Sequence, residues 1–160
     1  MSYEERLDRS ESFEDIYRIV KQVVMEKYGL RRGGMGLVLA SLPNEIAAYH
    51  EIGSNAIVLN ASLLKAVSSV AKSKKILNSY VFVVLLHEYL HTLGFDERQT
   101  RELVRETVTT VFPSDHPASR IATQTIYDVL PELRNLPQPS IISKPLLIKD
   151  FDTDNVKYIG

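Results

Sequence analysis

Two histidines and a glutamate stand close together near the end of the most apolar stretch of the chain. The segment HEYLH places His87 and His91 four residues apart, with Glu88 between them. Helical residues i and i+4 share one face, so both imidazoles can reach one zinc ion (Zn2+) at about 2.0–2.1 Å. Glu88 is rotated by about 100° from His87 and can stand beside the metal without binding it. The spacing therefore predicts a zinc site with Glu88 as general base towards a zinc-activated water. The alternative is a fortuitous match.

Composition limits what else the chain can hold. Its 160 residues include four histidines and no cysteine, which excludes thiolate metal sites, disulfides and a cysteine nucleophile. The net charge of −1 gives no general attraction to nucleic acid or to anionic membranes. No apolar run approaches the roughly 20 residues that cross a bilayer, and the charged first ten residues do not look like a secretory signal. We therefore expect a cytoplasmic protein with no nucleic-acid partner and no membrane span.

The elements that must position these residues are predicted from hydrophobic periods, caps and turn residues. Strands gather early in the chain and helices late, which indicates an α+β fold. We expect a short mixed sheet with a hairpin packed on the HEYLH helix, and further helices around it. The predicted strands are 37–42, 45–50 and 56–59, and the predicted helices are 12–28, 60–70, 78–93, 96–112 and 117–129.

A family resemblance begins at the HEYLH helix. The segment HEYLHTLG (87–94) resembles the active-site helix of zincin metallopeptidases, and AAYHEIGSNAIVLNASLL (47–64) resembles the strand pair and turn that precede it in many small zincins. The resemblance covers about residues 35–112. It implies a small zincin-like domain and a zinc-dependent metallopeptidase of the endopeptidase type. It also implies that one strand borders the cleft and binds the backbone of a peptide or protein substrate.

A zincin needs a third protein ligand. The extended motif HExxHxxGxxE, with Gly94 and Glu97, is similar to the metzincin pattern. It departs from that pattern in its final glutamate and in having no methionine after Met35, so the metzincin Met-containing turn cannot form. A glutamate ligand on a second helix instead resembles gluzincins, including their minimal members, although here it follows the second histidine more closely.

Glu97 is the predicted third ligand. At 100° per residue it falls on the same stripe of its helix as Val104 and Val108, whereas Glu102 faces the other side. A helix-start acid favoured by the helix dipole and a salt-bridge partner are the alternatives for Glu97. His116 is the chief rival ligand, and Glu102 is the next.

Other polar residues have expected roles around the site. Asp96 is expected to cap the 96–112 helix, or also to accept a hydrogen bond from a ligand histidine. His50 is expected as a surface strand residue, with the cleft edge as its alternative position. The resemblance to gluzincins implies an oxyanion stabiliser, for which the candidates are His116, Tyr127 and Arg120.

The chain is expected to divide into a catalytic domain, residues 1–133, and an extended C-terminal tail, residues 134–160. The tail contains three prolines and no helical period, so it is expected to lie outside the core. Residues 141–151 (IISKPLLIKDF) suggest a segment that docks beside the cleft strand and inhibits the enzyme, with Asp150, Asp152 or Asp154 displacing the zinc-bound water. An ordinary solvated or packed terminus is the alternative.

Two other functions fit the same residues. HEYLHTLGFDE also resembles the HGxLHxxGYDH motif of bacterial zinc endoribonucleases that act in rRNA maturation. Glu88 stands where that family has glycine, and Glu97 stands where it has histidine, which favours peptide hydrolysis. The third possibility is a non-catalytic metal-binding or interaction protein with a zincin fold.

Overall fold

The fold combines helices with a four-stranded mixed sheet, which confirms the expected α+β class. The computed structural model describes residues 1–139 and 144–152. The first half contains α1 (Tyr3–Asp8), α2 (Phe13–Tyr28), β1 (Gly36–Ala40), β2 (Ala48–Tyr49), β3 (Ala56–Asn60) and α3 (Ala61–Ala71). The second half contains α4 (Lys74–Thr92), α5 (Glu97–Val111), α6 (Pro117–Thr123), α7 (Ile126–Val129), a 3-10 helix (Pro131–Asn135) and β4 (Leu146–Ile148). Within the described ranges, none of the helices combines the length and the hydropathy of a transmembrane span.

The central helix of the fold is α4, which carries the HEYLH motif. It begins four residues earlier than predicted because the Ser73 side chain accepts a hydrogen bond from the Ile76 N–H and caps it. Apolar side chains cover most of its circumference, and a helix of that kind is stable only when other elements pack on several sides. Helices α2, α5 and α6 pack against it. The histidines therefore lie on a rigid, well-anchored helix.

The sheet has the strand order β2-β3-β1-β4. The parallel pair is β1 with β3, and the predicted hairpin is present as the antiparallel pair β2–β3, with Ala48 opposite Leu59 and Tyr49 opposite Val58. The hairpin turn is closed by a hydrogen bond from the Ser54 N–H to the Glu51 carbonyl at 2.9 Å. One edge of the described sheet is therefore β2, and the other is β4.

Asn60 connects the sheet to the loop that leads into β2. Its side chain is buried at the junction of β3 and α3, where Oδ1 accepts from the N–H groups of Ser62 and Leu63. Its Nδ2, which carries two hydrogens, lies within hydrogen-bond distance of three carbonyl oxygens of the loop 42–46, at 2.9–3.1 Å. One amide thus both caps α3 and fixes the entry to β2.

The described part of the C-terminal tail belongs to the fold. β4 pairs antiparallel with β1, and Phe151 is 3% exposed and stacks on Tyr17 with ring centroids 4.1 Å apart. The buried Asp152 carboxylate lies 2.7 Å from Lys21 Nζ and accepts the Met35 N–H at 3.0 Å. Phe151 and Asp152 therefore anchor this segment to the body of the protein, whereas Leu146 and Leu147 are 58% and 64% exposed and lie outside the core.

The same pairing corrects the proposed docking beside the cleft. β4 occupies the sheet edge opposite β2, and Asp152 is held by Lys21 on α2. Residues 144–151 therefore do not lie along the cleft strand. Residues 141–143 and Asp154 are outside the described residues.

The helix predicted from Pro117 to Val129 is two helices. α6 ends at Thr123, and Thr125 begins α7 with a capping box in which its side chain and that of Asp128 each accept the other residue's N–H. This local cap competes with continuation of the helix, so the predicted apolar face is divided at Gln124.

Candidate metal centre

A tight turn between α4 and α5 brings the three predicted ligands together. α4 ends at Thr92, and Gly94 has a φ of 101°, a left-handed conformation that glycine adopts without steric cost. Asp96 then caps α5 in the predicted capping box with Gln99. The turn thereby places Glu97, the first residue of α5, next to the two histidines of α4.

The three side chains converge on one point. His87 Nε2 lies 3.2 Å from His91 Nε2. Glu97 Oε1 lies 3.0 Å from His87 Nε2, and Glu97 Oε2 lies 3.0 Å from His91 Nε2. Four-coordinate zinc with donors at about 2.0–2.1 Å separates neighbouring donors by about 3.3 Å. The spacing and the chemistry of this donor set fit such an ion.

The hydrogen bonding of His91 also points to a cation at this place. Its Nδ1 lies 3.0 Å from the Phe95 carbonyl oxygen, which can only accept, so Nδ1 carries the proton. In the neutral form of the ring, Nε2 turns its lone pair towards a carboxylate oxygen and a second imidazole nitrogen. These acceptors repel one another unless a proton or a metal ion lies between them. The Phe95 carbonyl thus has the orienting role expected of an outer-shell partner.

Glu88 lies beside this cluster and lines the same cleft. The residue is 4% exposed. Burial is the main cause that raises its pKa, His91 lowers it and the negative charge of Glu97 raises it, which together bring the pKa of Glu88 to about 7. A carboxylate whose pKa lies near neutral pH is suited to accept and return a proton.

The charges of the ligand residues are coupled. Burial lowers the pKa of His87, although the carboxylate of Glu97 opposes this effect. Partial burial raises the pKa of Glu97, but His87, His91 and a hydrogen bond from Arg101 outweigh it and lower the pKa overall. Neutral imidazoles and an ionised carboxylate are the forms that bind zinc.

An open cleft gives access to the cluster. Its volume is about 1120 Å³, and β2 with the loops on either side of it forms one wall, opposite α4 and the start of α5. The side chains of His87 and His91 are partly exposed to it. The two rings therefore share a direction and are not sealed in the core.

The rival ligands lie elsewhere. Glu102 is exposed and lies 3.6 Å from Arg98 on the outer face of α5. His116 is buried at the start of α6, where its Nδ1 accepts the Ala118 N–H at 3.0 Å. Its Nε2 must then carry the proton, which it donates to Asp8 Oδ1 at 3.1 Å. That proton occupies the only nitrogen that His116 offers to the nearby Glu4–Asp8–His116 cluster.

The expected oxyanion stabilisers do not line the cleft. His116 faces α1, the Tyr127 hydroxyl donates to the Asn44 carbonyl at 3.1 Å, and Arg120 is exposed on α6. Residue type and chain order indicate these three candidates but do not determine the direction in which a side chain points.

Asp96 and His50 lie at the cleft in limited roles. Asp96 acts as a helix cap, and the described structure gives it no bond to a ligand histidine. His50 follows β2 and lines the cleft, with Nε2 2.8 Å from the Ser54 carbonyl. The cleft edge, its alternative position in the sequence analysis, is the one observed.

Two arginines that line the cleft are missed by sequence reasoning. Arg32 donates to the Thr92 carbonyl at 2.8 Å and to the Asn55 side chain at 3.0 Å, tying the end of α4 to the hairpin. Arg101 donates from Nε to Glu97 Oε1 at 3.2 Å. Only Arg101 has a sequence signal, because it stands four residues after Glu97 and shares its helix face.

Comparison with known proteins adds no assignment. No protein-family model matches the sequence, and neither a curated protein nor a solved structure shows significant similarity to it.

Proposed function

We propose that the protein is a zinc-dependent metalloprotease that hydrolyses internal peptide bonds. His87, His91 and Glu97 would hold the zinc, and Glu88 would act as general base. The observation that carries this proposal is the convergence of two imidazole nitrogens, 3.2 Å apart, and the Glu97 carboxylate, whose two oxygens each lie 3.0 Å from one of them, in an open cleft with a buried glutamate beside them.

Glu88 performs the proton transfers in this proposal. Zinc would supply a Lewis acid and would lower the pKa of a bound water molecule. Glu88 accepts one proton from the attacking water and later delivers it to the amide nitrogen as the C–N bond breaks. In the metal-free protein, burial raises the pKa of Glu88 to about 7, so this carboxyl group changes its protonation state easily.

The position of β2 supports a peptide as substrate. β2 is an edge strand of the described sheet and forms a wall of the cleft. An extended peptide can add to such an edge through main-chain hydrogen bonds. The net charge of −1 offers no comparable support for RNA, which is bound largely through phosphate contacts.

A cleavage assay tests the proposal. Zinc-loaded wild type and the zinc-loaded Glu88→Gln variant are each incubated with an unfolded protein substrate and, in parallel, with structured RNA. We expect wild type to cleave the protein, and the variant to bind one zinc per chain while losing about 10²–10⁴-fold in kcat. Glu102→Gln, which removes an exposed carboxylate from α5, is the matched control. Equal activity in wild type and Glu88→Gln, or Glu88-dependent cleavage of RNA alone, would overturn the proposal.

A further inference from the structure

One basic side chain of the cleft has unused hydrogen-bond donors beside the candidate metal centre. The cleft is lined by five basic residues: Arg32, His50, His87, His91 and Arg101. The ring nitrogens of His87 and His91 that face the cleft belong to the donor cluster. The basic side chains of the cleft outside that cluster are therefore Arg32, His50 and Arg101.

Arg32 and His50 serve the cleft wall. The Arg32 guanidinium donates to the Thr92 carbonyl at 2.8 Å, the Ser54 carbonyl at 3.2 Å and the Asn55 amide oxygen at 3.0 Å. His50 Nε2 lies 2.8 Å from the same Ser54 carbonyl. Both side chains hold the hairpin, and a substrate would have to break those bonds to use them.

Arg101 differs from them. Its Nε donates to Glu97 Oε1 at 3.2 Å, and that oxygen lies 3.0 Å from His87 Nε2. Within residues 1–139 and 144–152, its two terminal nitrogens make no hydrogen bond or ion pair. The side chain is 74% exposed. A guanidinium has five N–H donors in a planar fork, so four remain for a ligand.

We propose that Arg101 is a catalytic residue that binds the carbonyl oxygen of the scissile amide as that oxygen becomes an oxyanion, an assignment that rests on the proposed function. The oxygen of the attacking water bonds to the carbonyl carbon, and one proton passes to Glu88. The π electron pair of the carbonyl moves onto its oxygen, where Arg101 donates. The pair then returns as the C–N bond breaks, and Glu88 gives its proton to the departing nitrogen.

The hydrogen bond to Glu97 places Arg101 where the proposed role requires it. It holds the guanidinium at the ligand cluster, where the reacting carbonyl must also lie. A charge-assisted hydrogen bond is about twice as strong as a neutral one, and a donor that already lies near the reacting oxygen needs less reorganisation than one brought in from solvent. Tyr49 is the rival donor on the cleft wall, but the described structure records no contact between its hydroxyl and the ligand cluster.

Binding of a tetrahedral analogue tests Arg101 without relying on turnover. The probe is a phosphinic peptide, in which a –PO₂⁻–CH₂– group replaces the scissile amide, titrated by calorimetry into zinc-loaded protein. We expect Arg101→Gln to weaken binding by about 100-fold and Arg101→Lys to recover part of the loss. Arg98→Gln is the matched control, since Arg98 lies on the same helix, is 90% exposed and pairs with Glu102.

Peptide kinetics and metal content complete the test. We expect Arg101→Gln to lower kcat by about 10²–10³-fold, with KM nearly unchanged and one zinc per chain. Loss of zinc in this variant would instead make Arg101 a positioning residue for Glu97 and would overturn the assignment. So would unchanged probe binding, a loss found in Tyr49→Phe rather than Arg101→Gln, or a zinc-loaded wild type that does not bind the probe.

The two proposals fail in different ways. If wild type cleaves peptides in a Glu88-dependent manner while Arg101→Gln is fully active, only the role of Arg101 is lost. If wild type neither binds zinc nor cleaves peptides, both proposals are lost.

Discussion

Replacing Glu88 with glutamine should stabilise the metal-free protein at neutral and alkaline pH. Glutamine has nearly the same shape and carries no charge. The pKa of Glu88 rises from 4.5 to about 7 in the folded protein because the side chain is buried. A raised acid pKa means that the folded state binds more protons than the unfolded state between these values, so stability falls as pH rises through this window. At about 1.36 kcal/mol per pH unit, ionisation of Glu88 lowers the unfolding free energy of the wild type by about 3 kcal/mol above pH 7.

The assay is urea unfolding, followed by circular dichroism, in EDTA from pH 4 to pH 8.5. The difference in unfolding free energy between Glu88→Gln and wild type should grow from its value near pH 4 by about 3 kcal/mol and level off above pH 7. The lowered pKa of His87 acts on both proteins and largely cancels in the difference. Glu102→Gln should follow wild type. A difference that is independent of pH would refute the reasoning, because it would mean that Glu88 is not desolvated in the fold.

Three further changes test other parts of the structure. Phe151→Ala should lower the unfolding free energy by about 3–5 kcal/mol, since the ring is 3% exposed and stacks on Tyr17; an unchanged urea midpoint, or a gain in peptidase activity, would contradict the anchored tail. Asn60→Ala should cost about 3 kcal/mol because it leaves three loop carbonyls without their donor, and calorimetric melting without a drop in Tm would argue against that role. Glu97→Gln should weaken zinc binding by more than about 100-fold, the upper loss typical of a residue that only orients a ligand, in competition with a chelator, whereas Glu102→Gln should not change it; equal effects would exclude Glu97 as ligand.

Elements with strong local end signals are predicted well from the sequence. Ser12 and Gly29 delimit α2, and Asp96 with Gln99 begins α5, as the structure confirms. These signals depend on hydrogen bonds between residues only a few positions apart. The pairing of β4 with β1 depends instead on contacts such as that of Leu37 with Ile148. No local pattern encodes such a contact, and the prolines of the tail suggested an arm outside the fold.

The candidate site also has features that local sequence predicts and features that only tertiary contacts determine. The closeness of Glu97 to His87 and His91 follows from local geometry, because one glycine turn separates the two helices. The direction of His116 depends on its contact with Asp8 on α1, and the two arginines of the cleft are defined by the tertiary fold. Residue type alone therefore proposed oxyanion stabilisers that face elsewhere.

The coordination of zinc itself tests the central claim most directly. X-ray absorption at the zinc K edge should be recorded on protein loaded with one equivalent of the metal, for wild type and for Glu97→Gln. We predict one zinc per chain, with two imidazole nitrogens and a carboxylate oxygen among four donors at about 2.0–2.1 Å, and a changed first shell in the variant. Failure to retain one equivalent of zinc, or a spectrum without two imidazoles, would contradict the account.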